Sequence, residues 1–247
     1  MTAAPEAKRD LIPKRGERGF VVGQTGSGKT AFSCWLLERI DFAPIFIYDS
    51  KEEPKFDALT PNRVVYDIES MDKAYDDPTL DYIIVRPPLS VTSDPEALDA
   101  LLYHHYENYS DSVAYIDELL QFHKNGRAGK GLQGLLTRGR SRGITTIMAT
   151  QRPAWISLFA ISEAQKFYLF FLSHEDDKKR LSKVIRDFDK LPDPPKHGFY
   201  FYEMGFGPPT KYGPIKLDKS QNVGYTDTDS VPEGLGDKAP RQGRIWI

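Results

Sequence analysis

The chain has 247 residues, with 33 lysines and arginines against 35 aspartates and glutamates, a formal net charge of −2 and 40% hydrophobic residues. That length suits one domain with short appendages, and the balance excludes a low-complexity, collagenous or disulfide-stapled chain. No run of 18 apolar residues occurs, and the polar stretch 1–17 has no signal-peptide core, so neither a membrane span nor secretion is expected.

In chain order, residues 1–17 are expected to form a flexible arm. Strand-like runs follow at 20–22, 44–48, 64–66, 82–85, 113–116, 145–149 and 167–172. Several are continuous apolar stretches, the signature of parallel strands covered on both faces. Helices are expected at 30–40, from Asp94-Pro95-Glu96 onward, at 131–137 and at 176–186. Asp94 supplies a cap, and Pro95 suits the first helical position. A strand at 199–202 with the turn after it is expected to close the domain as a hairpin. Residues 18–218 thus read as one three-layer α/β domain with a mostly parallel sheet. Residues 219–247, rich in Gly, Pro, Asp, Ser and Thr, read as a tail that is flexible or packs on a neighbour. The single cysteine, Cys34, falls in the first helix and is assigned to packing. The five histidines, including the adjacent His104 and His105, show no metal-ligand spacing. A cytoplasmic location follows from these readings.

The segment Gly23-Gln24-Thr25-Gly26-Ser27-Gly28-Lys29-Thr30 matches GxxxxGK[ST] at every fixed position. It lies between a strand and a helix, the setting a phosphate-binding loop requires. Its amides and the helix N-terminus would cradle phosphates. Lys29 would reach the β- and γ-phosphates, and the Thr30 hydroxyl would ligate Mg²⁺. ATP with Mg²⁺ is the expected ligand pair. The run Val113–Ile116 ends in Asp117-Glu118. Beside a phosphate loop, Asp117 would organise Mg²⁺ and Glu118 would polarise the attacking water. The strand at 145–149 leads to Gln151. Ligands sit at the carboxyl ends of parallel strands, so Gln151 would face the γ-phosphate.

Charge is unevenly spread. Between Glu118 and Glu163 lie seven basic residues and no acidic one: Lys124, Arg127, Lys130, Arg138, Arg140, Arg142 and Arg152. The other 26 basic residues share the remainder with all 35 acidic ones. Such asymmetry points to one face that meets a polyanion.

Here the chain resembles a known family. The stretch from Arg138 to Pro153, containing Arg140-Ser141-Arg142-Gly143 and ending Thr150-Gln151-Arg152-Pro153, looks like the signature of the FtsK/HerA superfamily of DNA-pumping ATPases. Ser173-His174-Glu175-Asp176-Asp177-Lys178-Lys179-Arg180 is similar to the family's serine-plus-acidic segment before its last helix. Ile47-Tyr48-Asp49-Ser50-Lys51 resembles its Asp-Pro-Lys strand end, with Ser50 in place of proline. The resemblance spans about residues 18–190 and implies a three-layer RecA-like P-loop NTPase fold. It implies a homo-oligomeric ring, hexameric or pentameric, with ATP at subunit interfaces and an arginine arriving from the neighbour. Arg140 best matches that arginine, with Arg138 and Arg142 close enough to be confused with it. In such a ring the loop of Lys124, Arg127 and Lys130 would line the channel and hold double-stranded DNA by its phosphates, without reading sequence. A nearly bare motor domain is similar to viral genome-packaging ATPases, which would dock on a capsid portal or vertex. A conjugation or plasmid-mobilisation pump of the same superfamily, and a nucleotide-dependent assembly switch that moves no DNA, are the alternatives.

Overall fold

The computed structural model describes residues 11–42 and 44–215. Eleven strands are present among them: β1 Arg18–Val22, β2 Ile45–Tyr48, β3 Asn62–Val65, β4 Tyr82–Val85, β5 Val113–Ile116, β6 His123–Lys124, β7 Arg127–Ala128, β8 Thr145–Thr150, β9 Lys166–Leu169, β10 Phe199–Glu203 and β11 Thr210–Tyr212. The helices are α1 Lys29–Arg39, α2 Ile68–Tyr75, α3 Leu89–Thr92, α4 Pro95–Asn108, α5 Lys130–Arg138, α6 Leu158–Ser162 and α7 Glu175–Ser182.

Nine strands form one sheet in the order β11-β10-β9-β1-β8-β5-β2-β4-β3. From β9 to β3 every pairing is parallel; β10 and β11 add an antiparallel edge. Alternate side chains of one strand enter different cores. Phe20 and Val22 join α4 and α5 residues such as Leu98, Leu102 and Leu132 on one face. Val21 joins Phe32 and Leu36 of α1 on the other. Phe46 and Tyr48 divide from Ile45 and Ile47 in the same way. A sheet buried on both faces is why its strands read as unbroken apolar runs. The expected three-layer, mostly parallel α/β domain is borne out.

Two local features differ from the sequence-based reading. The described part of the expected arm is packed: Leu11 and Pro13 are buried, Tyr168 Oη donates to the Leu11 carbonyl, and the Gly16 amide donates to Thr145 Oγ1 at 2.8 Å. Residues 1–10 and the expected tail 219–247 lie outside the described residues. The stretch 124–130, expected as a loop, carries regular structure. β6 and β7 form a hairpin closed by Asn125-Gly126, whose φ values of 51° and 72° both lie in the left-handed region. An Asn-Gly pair with two positive φ angles is the preferred two-residue hairpin turn. Lys130 then opens α5, whose Gly131 and Leu132 amides donate to the Asp99 carboxylate at 2.8 and 2.9 Å. Asp99 belongs to α4, so one helix caps the next.

Candidate nucleotide site

β1 delivers the chain to the phosphate loop at the carboxyl end of the sheet. The Gly23 amide donates to the Thr150 carbonyl at 3.3 Å, and the Gln24 amide to Phe171 O at 3.0 Å. The loop is therefore hung between the ends of β8 and β9. A Cβ at Gly23 would lie 2.5 Å from Phe170 Cβ, so no side chain fits there. Gly28 caps α1 with φ 102°, a conformation that favours glycine. The first turn of α1 contains no acidic residue, so its positive end is left uncompensated. Ser27 Oγ is buried and makes no hydrogen bond within the described residues. An orphaned hydroxyl, a rigid glycine cradle and a bare helix N-terminus fit a phosphate chain.

The catalytic candidates converge on this loop. Lys29 is 8% exposed. Burial pushes its ammonium pKa down, while the Asp117 and Glu118 carboxylates pull it back up. Asp117 is equally buried, and burial pushes its carboxyl pKa up against the opposing charges of Lys29 and Lys51. Tyr115 Oη donates to Asp117 Oδ1 at 3.2 Å. Both oxygens of Glu118 are engaged: Thr150 Oγ1 donates to one at 2.9 Å and Lys51 Nζ to the other at 2.6 Å. β8 lies between β1 and β5, which puts Gln151 beside the phosphate loop on one side and the carboxylates on the other. Thr25 Oγ1 donates to Gln151 Oε1 at 2.7 Å. A cavity of about 270 Å³ opens there, lined by Gln24, Thr25, Gln151, Arg152, His174 and Asp177 among others. The residues present suit Mg²⁺ through Thr30 and Asp117, a hydroxyl and a carboxylate of the hard-oxygen type that cation takes.

No protein-family model matches the chain. The DNA packaging ATPase P9 of Enterobacteria phage PRD1 is 29% identical over 188 residues, covering 74% of this chain and 77% of that protein. The genome packaging NTPase B204 from Sulfolobus turreted icosahedral virus 2, in complex with ATP-gammaS, superposes with a TM-score of 0.64 at 18% identity, covering 81% of this chain and 98% of that one. VirB4 of Thermoanaerobacter pseudethanolicus superposes with a TM-score of 0.62 at 10% identity, covering 83% and 90%. The last two likenesses concern fold. The chain carries a complete phosphate-loop motif and is similar to viral genome-packaging ATPases.

The seven basic residues between Glu118 and Glu163 divide into three groups. Arg152 is clamped beside the site, its Nε donating to Asp177 Oδ2 at 3.0 Å and its guanidinium lying 4.4 Å from the centre of the Trp155 ring. Asp177, from the acidic segment noted in the sequence, also accepts the Ala154 amide. Arg138, Arg140 and Arg142 occupy the opposite end of β8. Arg138 and Arg140 are exposed, whereas Arg142 donates to the Glu107 carbonyl and lies over Tyr106. Lys124, Arg127 and Lys130 are exposed on the hairpin and the start of α5, with Lys124 Nζ 2.7 Å from Glu96. Phe122 and His123 are buried, and His123 contacts Leu119 O and Ser157 Oγ, so they pack rather than face a ligand.

Cys34 is buried and its thiol is pushed up to about 12, chiefly by burial, as a packing residue would be. His105 is fully buried between Tyr48 Oη and Ser112 Oγ, each at 2.9 Å. Sequence reading did not find Lys51 or Thr150 as partners of Glu118. The Thr150 contact follows from register: Ile116 pairs with Met148, so two residues further Glu118 meets Thr150. That signal exists only once β8 is known to neighbour β5.

Proposed function

We propose that this chain is an ATP-hydrolysing motor that moves double-stranded DNA, as a ring, into a viral capsid. The observation that carries the enzymatic half is the convergence of Lys29, Asp117, Glu118 and Gln151 on one sheet edge, with Gln151 bonded to the phosphate loop through Thr25. The match to a DNA packaging ATPase across three quarters of the chain supports the choice of cargo.

In this mechanism the loop amides and Lys29 hold the phosphates of ATP. Thr30 and Asp117 would hold Mg²⁺, which would supply positive charge against the phosphates. Glu118, positioned by Lys51 and Thr150, accepts a proton from the attacking water, and the γ-phosphoryl passes to that water with ADP leaving. Gln151 orients water and registers the γ-phosphate, passing its state to Thr25. Arg140 acts on the neighbouring subunit's site. It sits at the amino end of β8, a six-residue strand that spans roughly 20 Å, so it cannot reach its own phosphate loop. The hairpin and α5 start bear Lys124, Arg127 and Lys130 and grip DNA phosphates without sequence preference. A capsid portal or vertex protein is the docking partner, and the ring works in the host cytoplasm. No described helix is long and apolar enough to cross a membrane.

Steady-state ATPase activity with and without long double-stranded DNA, at low and moderate salt, tests the proposal. Stimulation independent of sequence and weakened by salt is expected. Turnover indifferent to DNA at both salts would overturn the motor and favour an assembly switch.

A further inference from the structure

On the side of the phosphate loop away from Gln151, the chain makes a turn that the site described so far does not use. Residues 195–198 form a β-turn in which the Gly198 amide donates to the Pro195 carbonyl at 2.8 Å. His197, third in this turn, has φ 61°. Lys196 is absent from the positive-φ residues, so the turn has the type II pattern, whose third position ordinarily takes glycine. A histidine there is strained, and such strain persists where surrounding structure and function hold it.

The fold aims this turn at the loop. Val22 pairs with Leu169, and Leu169 with Tyr200. β10 runs antiparallel, so the turn preceding it rises on the same edge of the sheet as the phosphate loop after Val22. A Cβ at Gly28 would lie 3.4 Å from His197 Cβ and 3.5 Å from His197 Nδ1. The imidazole therefore stands over the residue that caps α1. Along the sheet edge, Gln151, Asp117 and Glu118 lie on the β8–β5 side of β1, and His197 on the β9–β10 side. With the γ-phosphate directed to the first side, the nucleoside end of the ligand is directed to the second. His197 offers a planar ring at that end, and the exposed Lys196 sits next to it.

We propose that His197 binds the nucleoside end of the nucleotide, its ring packing against the base or ribose of a nucleoside triphosphate. This rests on the phosphate-loop reading and adds a contact that distinguishes a nucleotide from a bare phosphate chain.

The test compares ATP with inorganic tripolyphosphate, both with Mg²⁺, by titration calorimetry on the full chain. His197→Gly is the variant of choice, because glycine suits the turn and the fold is retained. ATP affinity should fall about tenfold, the loss expected for one ring–base contact, while tripolyphosphate affinity stays within about twofold. Unchanged ATP affinity, or an equal loss for both ligands, would overturn the assignment. Lys29→Ala should weaken both ligands together. A wild-type chain that binds neither would break the phosphate-loop reading, and this inference with it.

Discussion

The two ends of β8 are built for different tasks. At its carboxyl end Gln151 is tied to Thr25, Thr150 to Glu118, and Arg152 to Asp177 and Trp155. At its amino end Arg138 and Arg140 stand exposed, and only Arg142 is fastened within the described residues, to Glu107 and Tyr106. One end is organised by contacts within the chain; the other presents two exposed arginines. In the proposed ring, a single strand would carry both the acceptor of one nucleotide site and the donor of the next. Nucleotide chemistry depends on positions held in place, whereas a residue acting on a neighbour must remain uncommitted until that neighbour is seated.

Breaking the organised end should have the largest effect. Lys29→Ala is expected to lower kcat/KM by roughly a thousandfold, since it removes the buried charge aimed at the phosphates. Steady-state ATPase assays read this, and turnover above a tenth of wild type would remove Lys29 from its role. Glu118→Gln should keep ATP binding and cut kcat by about a hundredfold or more, as expected for loss of a proton acceptor. Retained turnover would reassign the base. Gln151→Ala should lower kcat by an intermediate amount, about tenfold, because the Thr25 link is severed while charge is untouched. Equal kcat in wild type and variant would show that the link is structural only.

A smaller effect concerns stability away from both ends. His105 is held neutral, its pKa pushed down from 6.5 to about 3, first by burial and then by the charges of His104 and Arg142. The unfolded state therefore binds more protons than the folded state between those values, and stability falls as pH drops from 6.5 towards 3. Urea unfolding across that window should show the slope, and it should flatten in His105→Gln. An unchanged slope in the variant would assign the acid sensitivity to other groups.

Much of the sheet was legible in the sequence because strands buried on both faces leave unbroken apolar runs. Tyr82–Val85 and Val113–Ile116 were placed to the residue. α2 was not seen, although Asp67 caps it through a reciprocal bond with Ser70. Its eight residues bury only Met71 and Ala74, and so short an amphipathic turn after a strand was not assigned. The Asn125-Gly126 turn was readable but its strands are two residues each, below the length at which alternation signals a strand. Within the site, the phosphate loop, Asp117-Glu118 and Gln151 were legible because their chemistry lies in contiguous motifs. Lys51 on Glu118, and His197 over Gly28, were not. Each joins residues far apart in the chain, and only sheet order brings them together.

Mixing two inactive proteins tests most directly whether the two ends of β8 serve different subunits. One carries Arg140→Ala with Lys29 intact; the other carries Lys29→Ala with Arg140 intact. At a hybrid interface an intact phosphate loop meets an intact arginine. ATPase activity should therefore reappear on mixing and peak near equal proportions, while Arg138→Ala in place of Arg140→Ala stays active by itself. Absence of recovery at every ratio, with mixed oligomers shown to form, would contradict an arginine supplied across the interface.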